Sequence, residues 1–105
     1  MEKDVWTVRE VVEILNIDED FIAALQKEDI ITLMRDDSRG ENLLRRQEID
    51  KIRVAKVLIE DMDINLPGVE VILGMRQNMI DMRRQFDDIL KDLADEIRRM
   101  FEQGP

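Results

Sequence analysis

Most of the side chains of this sequence that could perform acid–base chemistry are carboxylates. The 105 residues hold 25 aspartates and glutamates but no histidine and no cysteine. A thiol nucleophile, a disulfide framework, a zinc-finger cluster and a Ser-His-Asp triad are therefore excluded. Adjacent acids such as Asp36-Asp37 and Asp87-Asp88 arise by chance at this composition, and neither pair lies beside a glycine-rich phosphate loop. The sequence predicts no enzyme activity and no cofactor.

Three side chains with oxygen ligands have the spacing of a cation site. Asp61, Asp63 and Asn65 copy the first half of an EF-hand calcium loop. Such a loop needs glycine at its sixth position and a bidentate glutamate at its twelfth, where this chain has Leu66 and Ile72. We therefore predict no metal site, and interpret the three residues as a helix end, a turn and a helix cap.

The charge balance is acidic. Sixteen basic and 25 acidic residues give a net charge of −9, which is a poor balance for holding a polyanion. No apolar run is long enough to span a membrane, and the first residues lack a charged-then-apolar signal pattern. We expect no contact with membranes and a cytoplasmic location.

Two short helices are predicted at the start of the chain. Residues Thr7–Glu10 form a capping box before a first helix that ends near Leu15. Asp18 is expected to cap a second helix with its side chain. Glu19 and Asp20 would lie in the first turn of that helix, where the helix dipole favours acids.

A small β-hairpin is predicted next. Two β-prone runs, 30–34 and 42–44, flank the polar turn cluster 35–41. A third helix follows from about Gln47 and breaks at 61–63. The hairpin region carries four arginines that could grip phosphates or pair with neighbouring acids: Arg35, Arg39, Arg45 and Arg46.

The last helix is the clearest physical signal. It is predicted from 65–68, where proline is tolerated in a first turn, to about Phe101. Its apolar residues alternate spacings of three and four, as in a coiled-coil seam: Ile72, Met75, Met79, Met82, Phe86, Ile89 and Leu93. A helix of this length spans about 50 Å, more than its own small domain can cover. We predict that the seam joins two copies in a homodimer.

The order helix, helix, hairpin, helix and long helix is the layout of a winged helix-turn-helix, and a small helical domain with an incidental hairpin has the same order. The predicted fold is all-α with a small β-hairpin wing, divided into a winged-helix module at 1–62 and a dimerisation helix at 63–105. Residues 7–15, TVREVVEIL, resemble the opening helix of MerR-type regulators. Residues 26–31, QKEDII, are similar to that family's turn into the wing, and residues 63–73, DINLPGVEVIL, to the start of its last helices.

Two details resemble one branch of that family, the CbpM-like chaperone modulators. They are the Leu-Pro-Gly-Val stretch at 66–69 and the acidic segment IDEDFI at 17–22. The resemblance implies a partner of a particular kind, the J-domain of a DnaJ-type co-chaperone. It also implies a contact through the acidic second helix, at Asp18, Glu19 and Asp20.

The second helix departs from the DNA-binding members. They carry an arginine there, whereas residues 18–28 hold four acids against Lys27, a net charge of −3. Such a helix is repelled by the phosphates that wall a DNA groove. Two alternatives stay open: a transcription regulator that binds DNA through the wing arginines and the second helix, and a purely structural oligomerisation module.

Overall fold

The structure, a computed structural model, describes residues 3–104. Met1, Glu2 and Pro105, which belong to the two predicted domains, lie outside the described residues. Contacts divide the chain into two compact units, Met1–Leu73 and Gly74–Pro105. In chain order the elements are β1 (Val5–Thr7), α1 (Val8–Leu15), α2 (Glu19–Lys27), β2 (Met34–Asp36), β3 (Glu41–Arg45), α3 (Arg46–Glu60) and α4 (Leu66–Gln103). The predicted fold class is confirmed.

The capping box at the start of α1 is confirmed. The hydroxyl of Thr7 accepts a hydrogen bond from the backbone N–H of Glu10 at 3.1 Å, and the Glu10 carboxylate accepts one from the Thr7 N–H at 3.2 Å. Two N–H groups that the helix cannot satisfy by itself are thereby paired. The helix ends where Asn16 adopts a left-handed φ of 53°. Thr7 thus sets the start of the first helix.

The side-chain cap predicted for α2 is wrong. Asp18 occupies the N-cap position with an extended backbone, yet its side chain makes no capping hydrogen bond. The backbone carbonyl of Asp18 accepts from the N–H of Phe21 at 3.1 Å instead. The Asp18 carboxylate is therefore left facing solvent.

The first strand of the hairpin begins later than predicted. Asp29 adopts a left-handed φ of 57° after α2, and the N–H of Ile30 donates to the carbonyl of Leu25 at 2.9 Å. This bond closes the helix end and turns Ile30 and Ile31 into the core, where both are buried. Their apolar character reflects burial in the core, and the strand β2 begins only at Met34.

The sheet has three antiparallel strands in the order β1-β3-β2. The short strand β1 was not predicted; it pairs with β3 and places Trp6 opposite Leu44. Strands β2 and β3 form the predicted hairpin, with Met34 opposite Leu43. Its turn is closed by Gly40, whose φ of 67° is a conformation that glycine adopts without steric cost.

The hydrophobic core lies within the first unit. Its members come from α1, α2, the segment before β2, β3, α3 and the start of α4: Val11, Ile22, Leu25, Ile30, Ile31, Leu44, Ile49, Ile52, Ala55, Leu58 and Val69. The predicted break after α3 is confirmed, because Asp61 ends that helix and Asp63 has a left-handed φ of 57°. The side-chain oxygen of Asn65 then accepts from the Gly68 N–H at 2.9 Å and so starts α4.

The second unit contains the remainder of α4. No side chain in 74–104 is buried. Of the predicted seam, Ile72 packs against the core of the first unit, whereas Met75 to Leu93 are more than half exposed. Within the described residues, no helix is both long and apolar enough to cross a membrane.

Candidate interaction surface: the acidic second helix and the wing

The exposed side of α2 is acidic. Ile22 and Leu25 are buried in the core, and this orientation turns Glu19 and Asp20 to solvent, next to the exposed Asp18. The structure thus brings together the three acids predicted as a contact site. We call Asp18, Glu19 and Asp20 the acidic patch.

The carboxylates of the acidic patch have no partner within residues 3–104, by hydrogen bond or by ion pair. The dipole of α2 favours negative charge at its N-terminus, so the three acids are compatible with a stable helix. At the other end of α2 the exposed Glu28 and Asp29 follow Lys27. The solvent-facing side of the helix therefore presents mainly negative charge.

The tip of the wing is neutralised locally. Arg35 lies 4.0 Å from Asp37, and both side chains are largely exposed. The Ser38 hydroxyl and backbone N–H both donate to the Asp36 carboxylate and lower the pKa of Asp36, with a smaller contribution from the charge of Arg39. Exposed pairs of this kind contribute little to stability, but they offset the charges of Arg35 and Arg39.

The two arginines at the base of the wing, Arg45 and Arg46, contact different parts of the first unit. The Arg45 Nε donates to the sulfur of Met34 at 3.0 Å, across the strand pair. Arg46 is the first residue of α3; its guanidinium lies 5.6 Å from the centre of the Trp6 ring and donates to the carbonyl of Lys3 at 3.1 Å. All four predicted arginines are exposed. Arg39 in the turn and Arg46 at the start of α3 lie beyond opposite ends of β3, which spans about 14 Å.

One residue that sequence reasoning missed joins the wing to the core. Glu48 is 8% exposed; its carboxylate accepts from the Thr32 N–H at 2.8 Å and pairs with Lys51 at 3.0 Å. The bond to Thr32 anchors the segment that leads into β2. A glutamate in the first turn of a helix gave no sign of this role, because its partner is 16 residues away in sequence.

The three residues with calcium-loop spacing lie between the end of α3 and the start of α4. Asp61 ends α3, Asp63 forms the turn and Asn65 caps α4. Across residues 3–104, no three histidine, cysteine, aspartate or glutamate side chains come together in a way that could hold a metal ion.

A groove between α1 and α3 was also missed. It has a volume of about 260 Å³ and is lined by Trp6, Val11, Ile14, Leu15, Arg46, Ile49, Asp50 and Arg53. The sequence signal that could have indicated this groove is Ile14, an apolar residue outside the apolar stripe of α1. In the structure, Ile14 is 60% exposed. Its partners in the groove come from β1 and α3, far away in sequence.

Two helices, a three-stranded sheet with a wing and a third helix define a winged helix-turn-helix module. A model of the MerR helix-turn-helix family of regulatory proteins matches residues 6–100. The chain belongs to this family, and the match covers the module and most of α4. Searches among curated proteins and among solved structures found no significant match.

Proposed function

We propose that this chain is a regulator that acts by binding another protein, without enzymatic activity, through the acidic patch at the start of α2. The observation that supports the proposal is the exposure of the unpaired carboxylates of Asp18, Glu19 and Asp20. All three are exposed at the N-terminus of the helix that would read a groove, and none has a partner within residues 3–104. Unpaired charges of one sign favour a partner surface of the opposite sign.

Electrostatics favours a protein partner over DNA. DNA presents about one negative charge per 1.7 Å of its axis, and a helix with net −3 over residues 18–28 is repelled by it. The wing arginines offset this repulsion only weakly, because Arg35 lies beside Asp37 and the others are spread along the wing. A basic protein surface meets no such repulsion.

We propose the J-domain of a DnaJ-type co-chaperone as the partner. Support comes from the resemblance of 17–22 and 66–69 to the chaperone-modulator branch and from the negative charge of the acidic patch. Binding would occlude the J-domain surface that another chaperone requires. Complementary charge would speed association and set the orientation of the partner more than it would raise affinity.

We further propose that the chain acts as a homodimer joined through α4. Met79, Met82 and Phe86 are 61–69% exposed, and they recur at the spacing of a coiled-coil seam. Large apolar side chains in a row on one helix are stabilised when a second copy covers them. Three methionines, at positions 75, 79 and 82, make that seam adaptable.

The proposal is tested by titrating the full chain with a purified J-domain and, separately, with a random DNA duplex, at low and at physiological salt. We expect saturable J-domain binding that weakens with salt, and DNA binding no tighter than about 10⁻⁴ M at physiological salt. Calorimetry gives both affinities without a label.

Two results would contradict the proposal. One is the absence of J-domain binding at low salt. The other is tight binding to a particular duplex that is lost in the Arg39→Ala/Arg45→Ala variant, which would identify a DNA-binding regulator that uses its wing.

A further inference from the structure

We propose that the groove between α1 and α3 is a second docking site, which binds a short partner segment carrying an apolar side chain next to a carboxylate. This site is separate from the acidic patch, and it has the opposite charge preference. The inference does not depend on what α2 binds.

The groove is held in shape at both ends. At one end, the Arg46 guanidinium lies 5.6 Å from the centre of the Trp6 ring and donates to the carbonyl of Lys3 at 3.1 Å. At the other end, the Lys56 ammonium donates to the carbonyl of Leu15, the last residue of α1, at 2.8 Å. These contacts join α3 to the β1 segment and to the end of α1. A binding surface that is already formed costs less entropy to occupy.

The floor of the groove is apolar. Val11 is 1% exposed and Ile49 7%, while Leu15 is half-buried beside them. The wall residue Ile14 is 60% exposed, although it lies next to this floor. An apolar side chain inserted here would cover Ile14 and remove further apolar area from water.

The groove has an exposed arginine, Arg53, in its lining, in a chain whose net charge is −9. The nearest acid along the helix is Asp50, which also lines the groove. Asp50 and Arg53 are three residues apart on α3, yet they form no ion pair, and neither has a partner within residues 3–104. The Arg53 guanidinium is therefore available to a carboxylate, which it can bind with two parallel hydrogen bonds.

The size of the groove points to a segment of a partner. Sites that enclose small molecules occupy about 300–1,000 Å³ and bury most of the ligand. At about 260 Å³, with an exposed isoleucine in its wall, this groove suits one or two side chains presented by another chain. The unpaired Arg53 guanidinium favours an aspartate or glutamate as one of them.

The test is a selection of displayed random heptapeptides on the full-length wild-type chain, followed by separate selections on Arg53→Glu and on Arg9→Glu. Arg9 lies exposed on α1 outside the groove, so its substitution makes the same charge change as a matched control. We expect a set of peptides that is lost on Arg53→Glu and retained on Arg9→Glu. Those peptides should share an apolar or aromatic residue within two positions of an acid.

Trp6 reports the location of binding, because it is the sole tryptophan of the chain and lines the groove. A synthetic peptide from the selected set should shift Trp6 fluorescence, and Arg53→Glu should weaken its affinity at least tenfold. Three outcomes would overturn the proposal: no peptides that depend on Arg53, a selected set without acids, or equally tight binding of free N-acetylphenylalanine, which would indicate a small-molecule site.

Discussion

The two units of this chain use apolar residues in opposite ways. In the first unit, Leu25, Leu44 and Ile52 are fully buried among elements that are distant in sequence. In the second, Met79 and Phe86 are more than 60% exposed on one helix. The hydrophobic effect folds the first unit, whereas the second unit keeps an exposed row of large apolar side chains within the described residues. Apolar periodicity in a sequence therefore indicates a buried face, but not whether its own chain buries it.

The largest expected effect comes from placing charge in the exposed seam. The variant Met79→Glu/Phe86→Glu should convert the proposed dimer into a monomer, because two unpaired charges per chain would have to be buried on association. Sedimentation velocity at tens of micromolar measures this directly. Circular dichroism should show that the first unit still unfolds cooperatively.

Arg84→Glu/Gln85→Glu is the control for the seam variant, since both residues are exposed on the same helix outside the seam. This control should stay dimeric. A wild-type chain that sediments as a monomer at the same concentration would refute the proposed assembly.

Two glycines of α4, one in each unit, differ in the space available for a side chain. A Cβ at Gly68 would lie 2.7 Å from the Cγ2 of Ile64 and 3.1 Å from the capping oxygen of Asn65, whereas a Cβ at Gly74 would meet nothing within 4 Å. Gly68→Ala should therefore destabilise the first unit by about 1–3 kcal/mol. Gly74→Ala should stabilise the helix by up to about 1 kcal/mol, because alanine favours helix.

Urea unfolding of the two alanine variants measures both changes. Equal effects of the two substitutions would contradict the difference in packing between Gly68 and Gly74.

The local features of the fold could be predicted from the sequence, and the non-local ones could not. The capping box at Thr7–Glu10 and the break at 61–63 depend on neighbours a few residues away, and both are confirmed. The strand β1 exists only because it pairs with β3, about 40 residues later. Ile30 and Ile31 have the composition of a strand, but a helix-ending turn at Asp29 places them in the core.

The candidate site also has one part that the sequence could predict and one part that it could not. The exposure of the acidic patch follows from the apolar stripe of α2, so its three residues could be predicted as a group. The groove between α1 and α3 could not be predicted, because Trp6, Ile14 and Arg53 come together only in the folded first unit. The cap predicted for Asp18 was wrong because its backbone carbonyl, and not its carboxylate, accepts the hydrogen bond at the start of α2.

A smaller effect concerns acid stability of the first unit. The Lys3 ammonium, followed by the Thr7 N–H, holds the pKa of Glu10 below its ordinary value of 4.5. A lowered pKa in the folded state means that ionised Glu10 adds stability above about pH 4.5, and that this is lost as the pH falls through the lowered pKa. The stability of Glu10→Gln should fall less between pH 5 and pH 3 than that of the wild type.

Thermal unfolding across this pH range measures the difference between Glu10→Gln and the wild type. If the melting temperatures of Glu10→Gln and of the wild type fell equally with pH, protonation of Glu10 would have no effect on the stability of the first unit.

The central claim is that the acidic patch contacts a basic protein surface. The most direct measurement is the binding of a purified J-domain and of duplex DNA to the Glu19→Lys/Asp20→Lys variant, beside an Asp87→Lys/Asp88→Lys control with the same charge change on α4. We expect the α2 variant to lose J-domain affinity through slower association and to gain DNA affinity with a steeper salt dependence, and to differ from the control in both. Unchanged J-domain affinity, or equal effects of the two variants, would contradict the claim.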